Sequence, residues 1–498
     1  MGGGIVWRIH CQNRDSIGCV REETMGKRGF AVFAWLALFW SAGAPNAVAN
    51  VVDDVAQAIG ATNLKSIQYS GNGYVFAFGQ NYRPDGPYPK FHAKYSRVVD
   101  YEKGLSREET VRTQFENPPR GGGGQPLYRE ARGAAFVNEN SPWNGSALAL
   151  TPHGWAKTAR TANPTLTSKT VNGKPMTVVS FTVRGKYKVD GYVNQQNLLE
   201  KVETWTPNPI LGDMLIETSY SDYRDFAGVK VPMKIVQKQG GFPVLDLTVS
   251  EVQPNATANI ERPGGPGGAP GPARVESQKI ADGVWYLAGT PDPNSMAVEF
   301  QDYTVLIESS VTEERALANM AEVKRLVPHK PVRYHLNSHH HSDHAAGLRA
   351  YVAEGVTIIT HEMNKPFYER TVLKSPRTLN PDKLSQNPKA AKFVTLTDQY
   401  VLTDGSRSLE LHLSQGNGHN PGLLLVYLPK EKLLYQPDSF TAPPPGAPLP
   451  PAVNMVNARN LNLQANIERL KLDVQQFLAA HGRVMPIADL RKAIGKAD

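Results

Sequence analysis

The stretch Asn337-Ser338-His339-His340-His341-Ser342-Asp343-His344 holds four potential metal donors within six residues: His339, His341, Asp343 and His344. Imidazole nitrogens and carboxylate oxygens suit zinc, and a loop at a strand end can converge them where a regular element could not. A His-rich tract can be only a surface feature. Here histidine is sparse, 13 in 498 residues, and four of them fall in this one loop, which argues for a built site. The chemistry such a site supplies is water activation, because a bound cation lowers the pKa of its water and yields a nucleophile at neutral pH. No thiolate enters, since Cys11 and Cys19 are the only cysteines and both precede the segment read below as a leader.

The segment resembles the H-x-H-x-D-H signature of the metallo-β-lactamase fold. Three further contexts of that family follow in order: Gly418-His419-Asn420-Pro421-Gly422 before a hydrophobic run, Asp438 after Leu433-Leu434-Tyr435-Gln436-Pro437, and Ala480-His481-Gly482. The resemblance covers about Gly283 to Pro486. It implies an α/β domain with the four-layer αββα metallo-β-lactamase fold, preceded here by a mostly antiparallel β domain. By the same resemblance His339, His341 and His419 hold one metal, Asp343, His344 and His481 the second, and Asp438 bridges them. Asp343 is then also catalytic, orienting the attacking water or taking its proton. Two zinc ions per chain are expected; iron and manganese satisfy the same donors, and ligand type alone does not separate them.

Two positions depart from the family pattern. Pro437 precedes the bridging Asp438 where glycine is common, fixing φ and removing an N–H, and Glu308 stands where many relatives carry aspartate, a longer carboxylate able to buttress a ligand. The acidic bridge ranks a hydrolase of ester, thioester, lactone or related small-molecule bonds, acting through a metal-bridged hydroxide, ahead of a periplasmic β-lactamase. Many β-lactamases have cysteine or serine at that position. Among the remaining histidines, His340 is expected to point away from the metals and His335 to be packed, while His361 is a candidate lining residue. His92, His153, His329 and His412 read as structural or surface residues, and Arg459 or Asn457 as candidate substrate contacts.

These residues need a scaffold. Val284 to Leu287, Tyr303 to Ile307, Val332 to Leu336 and Val356 to Thr360 read as strands. Between them, Thr312 caps a helix through Leu317, Met320, Val323 and Val327, and Ala345 to Val352 reads as another. Leu423 to Leu428 and Lys432 to Tyr435 form a hairpin, and Leu461 to Leu478 is read as one or two helices. The run TAPPPGAPLPP from Thr441 to Pro451 is expected to make a stiff rim beside the site.

The run PGGPGGAPGP, from Pro263 to Pro272, sets the domain boundary, with a linker over 263–274 and the metal domain over 275–498. Residues 50–262 alternate β-rich segments with turn signals, as in Ser66 to Ser70, Thr177 to Val183, Met233 to Val236 and Val244 to Val249. Pro232 suits a strand start or a sheet edge, and Val51 to Ile59 a helix. The segment from Gly191 to Trp205, with Tyr220 to Tyr223, weakly resembles the half-barrel of periplasmic lipoprotein carriers, which implies binding of a lipid or other apolar ligand and, as an alternative function, a binding protein with an ancillary metal domain. Residues 1–49 hold Lys27-Arg28, an apolar run from Phe30 to Trp40 and Ala47-Val48-Ala49, the pattern of a secretory signal cleaved near Ala49, with Met25 as its start. A periplasmic or secreted protein follows, without stable membrane insertion of the mature chain, because the apolar run is too short to span a bilayer. The net charge of +8 is scattered, which favours a small-molecule substrate over nucleic acid.

Overall fold

The computed structural model describes residues 44–137, 143–260, 273–441 and 458–496. The signal segment up to residue 43, both cysteines, the linker up to residue 272, the proline-rich rim beyond Thr441 and Asn457 lie outside the described residues. Residues from Pro45 onward form one compact unit.

Three sheets build it. The first has eleven strands in antiparallel pairs, running from Ala131–Val137 at one edge through Leu105–Gln114, Lys90–Asp100 and Ser66–Phe76. Phe242–Pro254 comes next, followed by Val229–Gln239, Gly212–Phe226, Leu199–Asn208, Tyr187–Val193, Lys174–Val183 and the far edge Thr165–Val171. Burial alternates residue by residue along Gly212 to Tyr220, the period-two pattern of a sheet with one covered face. That face is covered by the helices Ala44–Ala58 and Pro152–Ala159, whose Val52, Val55 and Trp155 pack on Val179, Val189, Val202 and Leu247. Gly191 is obligatory at this contact, because a Cβ there would lie 2.3 Å from the Trp155 indole. Pro232 sits inside the strand Val229–Gln239, not at its start. The proline is tolerated because pairing with Phe242–Pro254 begins only at Lys234, so at Pro232 the strand has a sheet neighbour on one side alone.

The other two sheets face each other. One runs Arg274–Ala281, Val284–Thr290, Ser295–Glu299, Thr304–Ile307, Val332–Leu336, Thr357–His361 and Lys392–Leu396, parallel from Thr304–Ile307 onward. Its partner runs Gln399–Thr403, Ser408–Leu413, Leu424–Leu428, Leu433–Gln436, Gln476–Ala479 and Val484–Pro486. Val298, Val305, Ile307 and Leu336 meet Leu411, Leu424, Val426 and Tyr435 between them. Helices Glu313–Leu326 and Leu348–Ala353 cover the outer face of one sheet; Ala458–Leu470 and Ile487–Ala493 cover the other. Strands buried on both faces explain the unbroken apolar runs Val305 to Ile307 and Leu424–Leu428. The result is the αββα sandwich expected from the sequence, preceded by a large antiparallel sheet.

Two element expectations change. Leu461 to Leu478 is a helix only to Leu470; Gln476–Ala479 is a strand parallel to Leu433–Gln436. The helix expected over Ala345 to Val352 breaks into Ser342–Ala345 and Leu348–Ala353. At the break, a side chain on Gly347 would press within 2.6 Å of Ser309 Oγ and 2.8 Å of the Ala316 methyl.

Candidate metal centre

The donors converge at one end of the sandwich, on turns that follow strands. His339 and His341 lie on the loop after Val332–Leu336, and Asp343 and His344 on the short helix Ser342–Ala345. Asn337 locks this corner by donating to the His344 carbonyl at 2.7 Å. His419 sits on a turn closed by Asn417, whose Oδ1 accepts from the backbone N–H groups of His419 and Asn420. Asp438 follows Leu433–Gln436, and here Pro437 causes no difficulty. The turn is closed by the Gln436 side chain, whose Oε1 accepts from the N–H groups of Ser439 and Phe440. His481 follows Gln476–Ala479.

Three clusters result: His339, His341 and His419; His339, His344 and Asp438; and Asp343, His344 and His481, each with donor atoms within 4.8 Å of one another. All seven residues singled out from the sequence therefore come together. Asp438 Oδ2 is 2.8 Å from His344 Nε2, 3.5 Å from His339 Nε2 and 3.7 Å from His419 Nε2, while Oδ1 lies 3.5 Å from His481 Nε2. His339 Nε2 approaches His419 Nε2 to 3.3 Å, and His344 Nε2 approaches His481 Nε2 to 3.2 Å. Donor nitrogens around a tetrahedral zinc stand about 3.3 Å apart, and facing lone pairs need a cation or a proton between them.

The outer nitrogens decide whether the inner ones are free. His339 Nδ1 meets Ser338 Oγ at 2.9 Å, and that hydroxyl donates to Glu308 Oε2 at 2.5 Å, so the hydrogen of His339 belongs on Nδ1. His344 Nδ1 lies 3.0 Å from the same Glu308 oxygen. His481 Nδ1 meets Asp292 Oδ2 at 2.5 Å. His341 is reversed: its Nε2 donates to the Asn81 carbonyl at 2.8 Å, and its buried Nδ1 has no hydrogen-bond partner among the described residues. The rings of His339 and His341 are thus set in the tautomer that presents a lone pair inward, the arrangement that orients metal-bound histidines, while Asp292 fixes the plane of His481 and Glu308 lies beside His344. His419 is the exception. Arg459 Nη1 reaches its Nδ1 at 3.2 Å, which places the ring hydrogen on the inner Nε2; binding a cation there requires that hydrogen to move and the guanidinium to withdraw.

The field divides along the same line. Burial pushes the His339 and His419 imidazoles well below their ordinary range and His341 down to about 4. These rings are neutral, the ligand form. Burial acts the same way on His344 and His481, but carboxylates overcome it. Asp438, Asp343 and Glu308 raise His344, and Asp292 and Asp343 raise His481 to about 10. Burial alone would raise Asp343 and Asp438; the surrounding imidazoles hold both well below the carboxylate range.

Other positions fall as follows. His340 turns away, meeting Asn81 Oδ1 at 3.2 Å and Asn420 Nδ2 at 2.9 Å. His335 stacks on Tyr351 with ring centroids 3.8 Å apart. His361 is not among the clustered donors; its Nδ1 accepts from the Met363 N–H at 3.2 Å and caps a short helical turn. His153 is buried on the Ile59 carbonyl, His412 pairs with Glu410, and His92 packs on Tyr74 and Phe115. Arg459, a candidate substrate contact, is brought to the site, where it meets His419 and the Asp438 carbonyl. Gln80, Asn81 and Asp292 were missed. Gln80 Nε2 donates to Asp343 Oδ1 at 2.8 Å, from 263 residues upstream.

The family described as the metallo-beta-lactamase superfamily matches residues 288–462, a stretch that ends before His481. A curated relative, an alkyl/aryl-sulfatase of Saccharomyces cerevisiae, is 28% identical over 145 residues, which is 28% of this chain and 22% of the relative. The matched stretch therefore spans less than a quarter of that protein's length. Similar solved structures include metallo-β-lactamases from Pontibacter korlensis and Hirschia baltica, at 20% and 19% identity with TM-scores of 0.34 and 0.33. Each likeness covers 45% of this chain and, respectively, 98% and 99% of the other.

Proposed function

We propose that this chain, whose residues 288–462 form a metallo-β-lactamase superfamily domain, is an exported metal-dependent hydrolase that loads two zinc ions on His339, His341, His419, Asp343, His344, His481 and Asp438. The observation that carries the reading is the convergence of seven donors in three overlapping clusters, with the outer nitrogens of His339, His341 and His481 hydrogen-bonded so that these rings face the shared carboxylates. When bound, the cations supply an activated water and a Lewis acid for the scissile group.

The chain's own residues do the rest. Asp343, held ionised by His344 and His481, is a fixed acceptor for the attacking water's hydrogen, and its low proton affinity makes orientation its main task. Arg459, half-buried beside His419 and the Asp438 carbonyl, offers a cation to an anionic substrate group. An acyl bond in a small molecule, whether ester, thioester or lactone, fits this chemistry. The local likeness to an alkyl/aryl-sulfatase adds sulfate esters, whose charge Arg459 would meet. A β-lactam is kept as the alternative substrate, a nucleic acid is not expected, and the oligomeric state is left open.

The test begins with elemental analysis of purified protein. Chelator-stripped and zinc-restored samples are then assayed on ester, thioester, lactone, sulfate-ester, phosphodiester and β-lactam substrates. Activity should return with zinc and vanish in His339→Ala and Asp343→Ala; hydrolysis unchanged in both variants would sink the reading. Export is tested by N-terminal sequencing of the mature protein, which should begin near Asn50. A mature form retaining Arg8 or Cys11 would contradict it.

A further inference from the structure

The N-terminal sheet reaches the metal centre through two segments. The first, Gly79 to Tyr82, lies between the strands Ser66–Phe76 and Lys90–Asp100; Ser342 N donates to the Gly79 carbonyl at 3.2 Å, and the Tyr82 hydroxyl to the Asn417 carbonyl at 3.2 Å. The second is the run Gly121-Gly122-Gly123-Gly124, which has no counterpart in the metal-binding motifs. Gly122 N donates to the Gly418 carbonyl at 3.0 Å, next to His419, and Gly123 N donates to the Gln80 carbonyl at 2.9 Å. The run lies against the Gln80 side chain: a Cβ on Gly123 would stand 1.8 Å from Gln80 Oε1 and 2.7 Å from its Cδ. Gly123 does not have the positive φ of Gly121, Gly122 and Gly124, so its lack of a side chain serves space and not backbone conformation.

We infer that Gln80 is a positioning residue for the second metal, that Gly123 is the gap which lets it stand there, and that the N-terminal sheet is a working part of the metal centre. The reading rests on the metal site proposed above. Asp343 is an ionised acceptor with two oxygens, and Gln80 Nε2 occupies Oδ1 at 2.8 Å. That leaves Oδ2, 3.3 Å from His344 Nε2 and 3.4 Å from His481 Nε2, directed at the cluster. Without the amide the carboxylate can rotate between its two oxygens, and the second cluster loses a fixed ligand.

The experiment measures zinc stoichiometry and affinity by chelator competition, and the visible spectrum of the cobalt-loaded protein, in wild type, Gln80→Met, Gly123→Ala and the double variant. Methionine keeps the size of Gln80 and removes the donor. Gln80→Met should weaken the second zinc about 10-fold or more while sparing the first, and change the cobalt spectrum. Gly123→Ala should reproduce that loss by displacing the amide, and the double variant should be no worse than either alone, since both remove one interaction. Thermal unfolding of the metal-free proteins controls for folding. Wild type binding two zinc ions with Gln80→Met equal to it overturns this inference and leaves the hydrolase reading standing. Additive losses in the double variant overturn the role given to Gly123. A wild type that binds no zinc removes both readings together.

Discussion

Glu308 offers the sharpest test of how the site is held. Its carboxylate is fully buried, accepts from Ser338 Oγ at 2.5 Å and Ser309 N at 3.1 Å, and stands as a charge partner 3.0 Å from His344 Nδ1. Through Ser338 it sets His339, a donor to the first metal; directly it sets His344, a donor to the second. Its backbone is held at φ 72°, a conformation that costs a non-glycine residue about 1–2 kcal/mol. In Glu308→Gln one acceptor oxygen becomes an NH2 that faces another donor, and a buried unpaired donor costs about 1–3 kcal/mol. Outer-ligand losses in metal sites run to about 10–100-fold in affinity, or roughly 1.4–2.8 kcal/mol. Because one carboxylate serves both clusters, zinc competition should show both sites weakened by that factor, whereas Gln80→Met should affect one. Glu308→Asp, which keeps the charge and loses reach, should fall between. Two zinc ions held at wild-type affinity by Glu308→Gln would refute the reasoning, whatever happened to activity.

Three further outcomes are expected. His481, with its pKa near 10, and His344, raised by three carboxylates, carry protons that zinc must displace, so second-site affinity should rise with pH across the neutral range; calorimetry in buffers of different ionisation enthalpy would count the protons released. Arg459→Leu removes the guanidinium that competes for His419, so first-site zinc affinity should rise severalfold while kcat/KM for anionic substrates falls; equal zinc affinity in the two proteins would contradict the competition. His153 is held by burial at about 4, below its unfolded value near 6.5, so the unfolded chain binds the extra proton first as pH falls. Its contribution to stability is complete above about pH 6.5 and is lost toward pH 4, by about 3 kcal/mol in all. The difference in urea stability between wild type and His153→Asn should carry that slope, and a difference independent of pH would dismiss it.

What was legible in the sequence was what lies close along the chain. His339, His341, Asp343 and His344 announce themselves because one loop carries them, and His419, Asp438 and His481 because each keeps a local strand-end context. Gln80, Asn81 and Asp292 have no such context; their roles depend on chain segments meeting across 189 to 263 residues of separation, as Asp292 does with His481 and Gln80 with Asp343. One signal was available, the run Gly121 to Gly124, since consecutive glycines in a β-rich region imply close backbone approach. Gln476–Ala479 was misread as helix because a short apolar run carries no period of its own, and its partner strand Leu433–Gln436 decides its state.

The hydrogen bond from His341 Nε2 to Asn81 ends on a main-chain carbonyl, which every amino acid possesses. Substitution at position 81 therefore leaves that acceptor in place, and a side-chain scan of the N-terminal half would pass over the link between Asn81 and His341. Neither residue needs to track the other through sequence divergence. The dependence of one half on the other would surface only when the two are expressed apart, as a metal domain with its histidines intact and one of them no longer aimed.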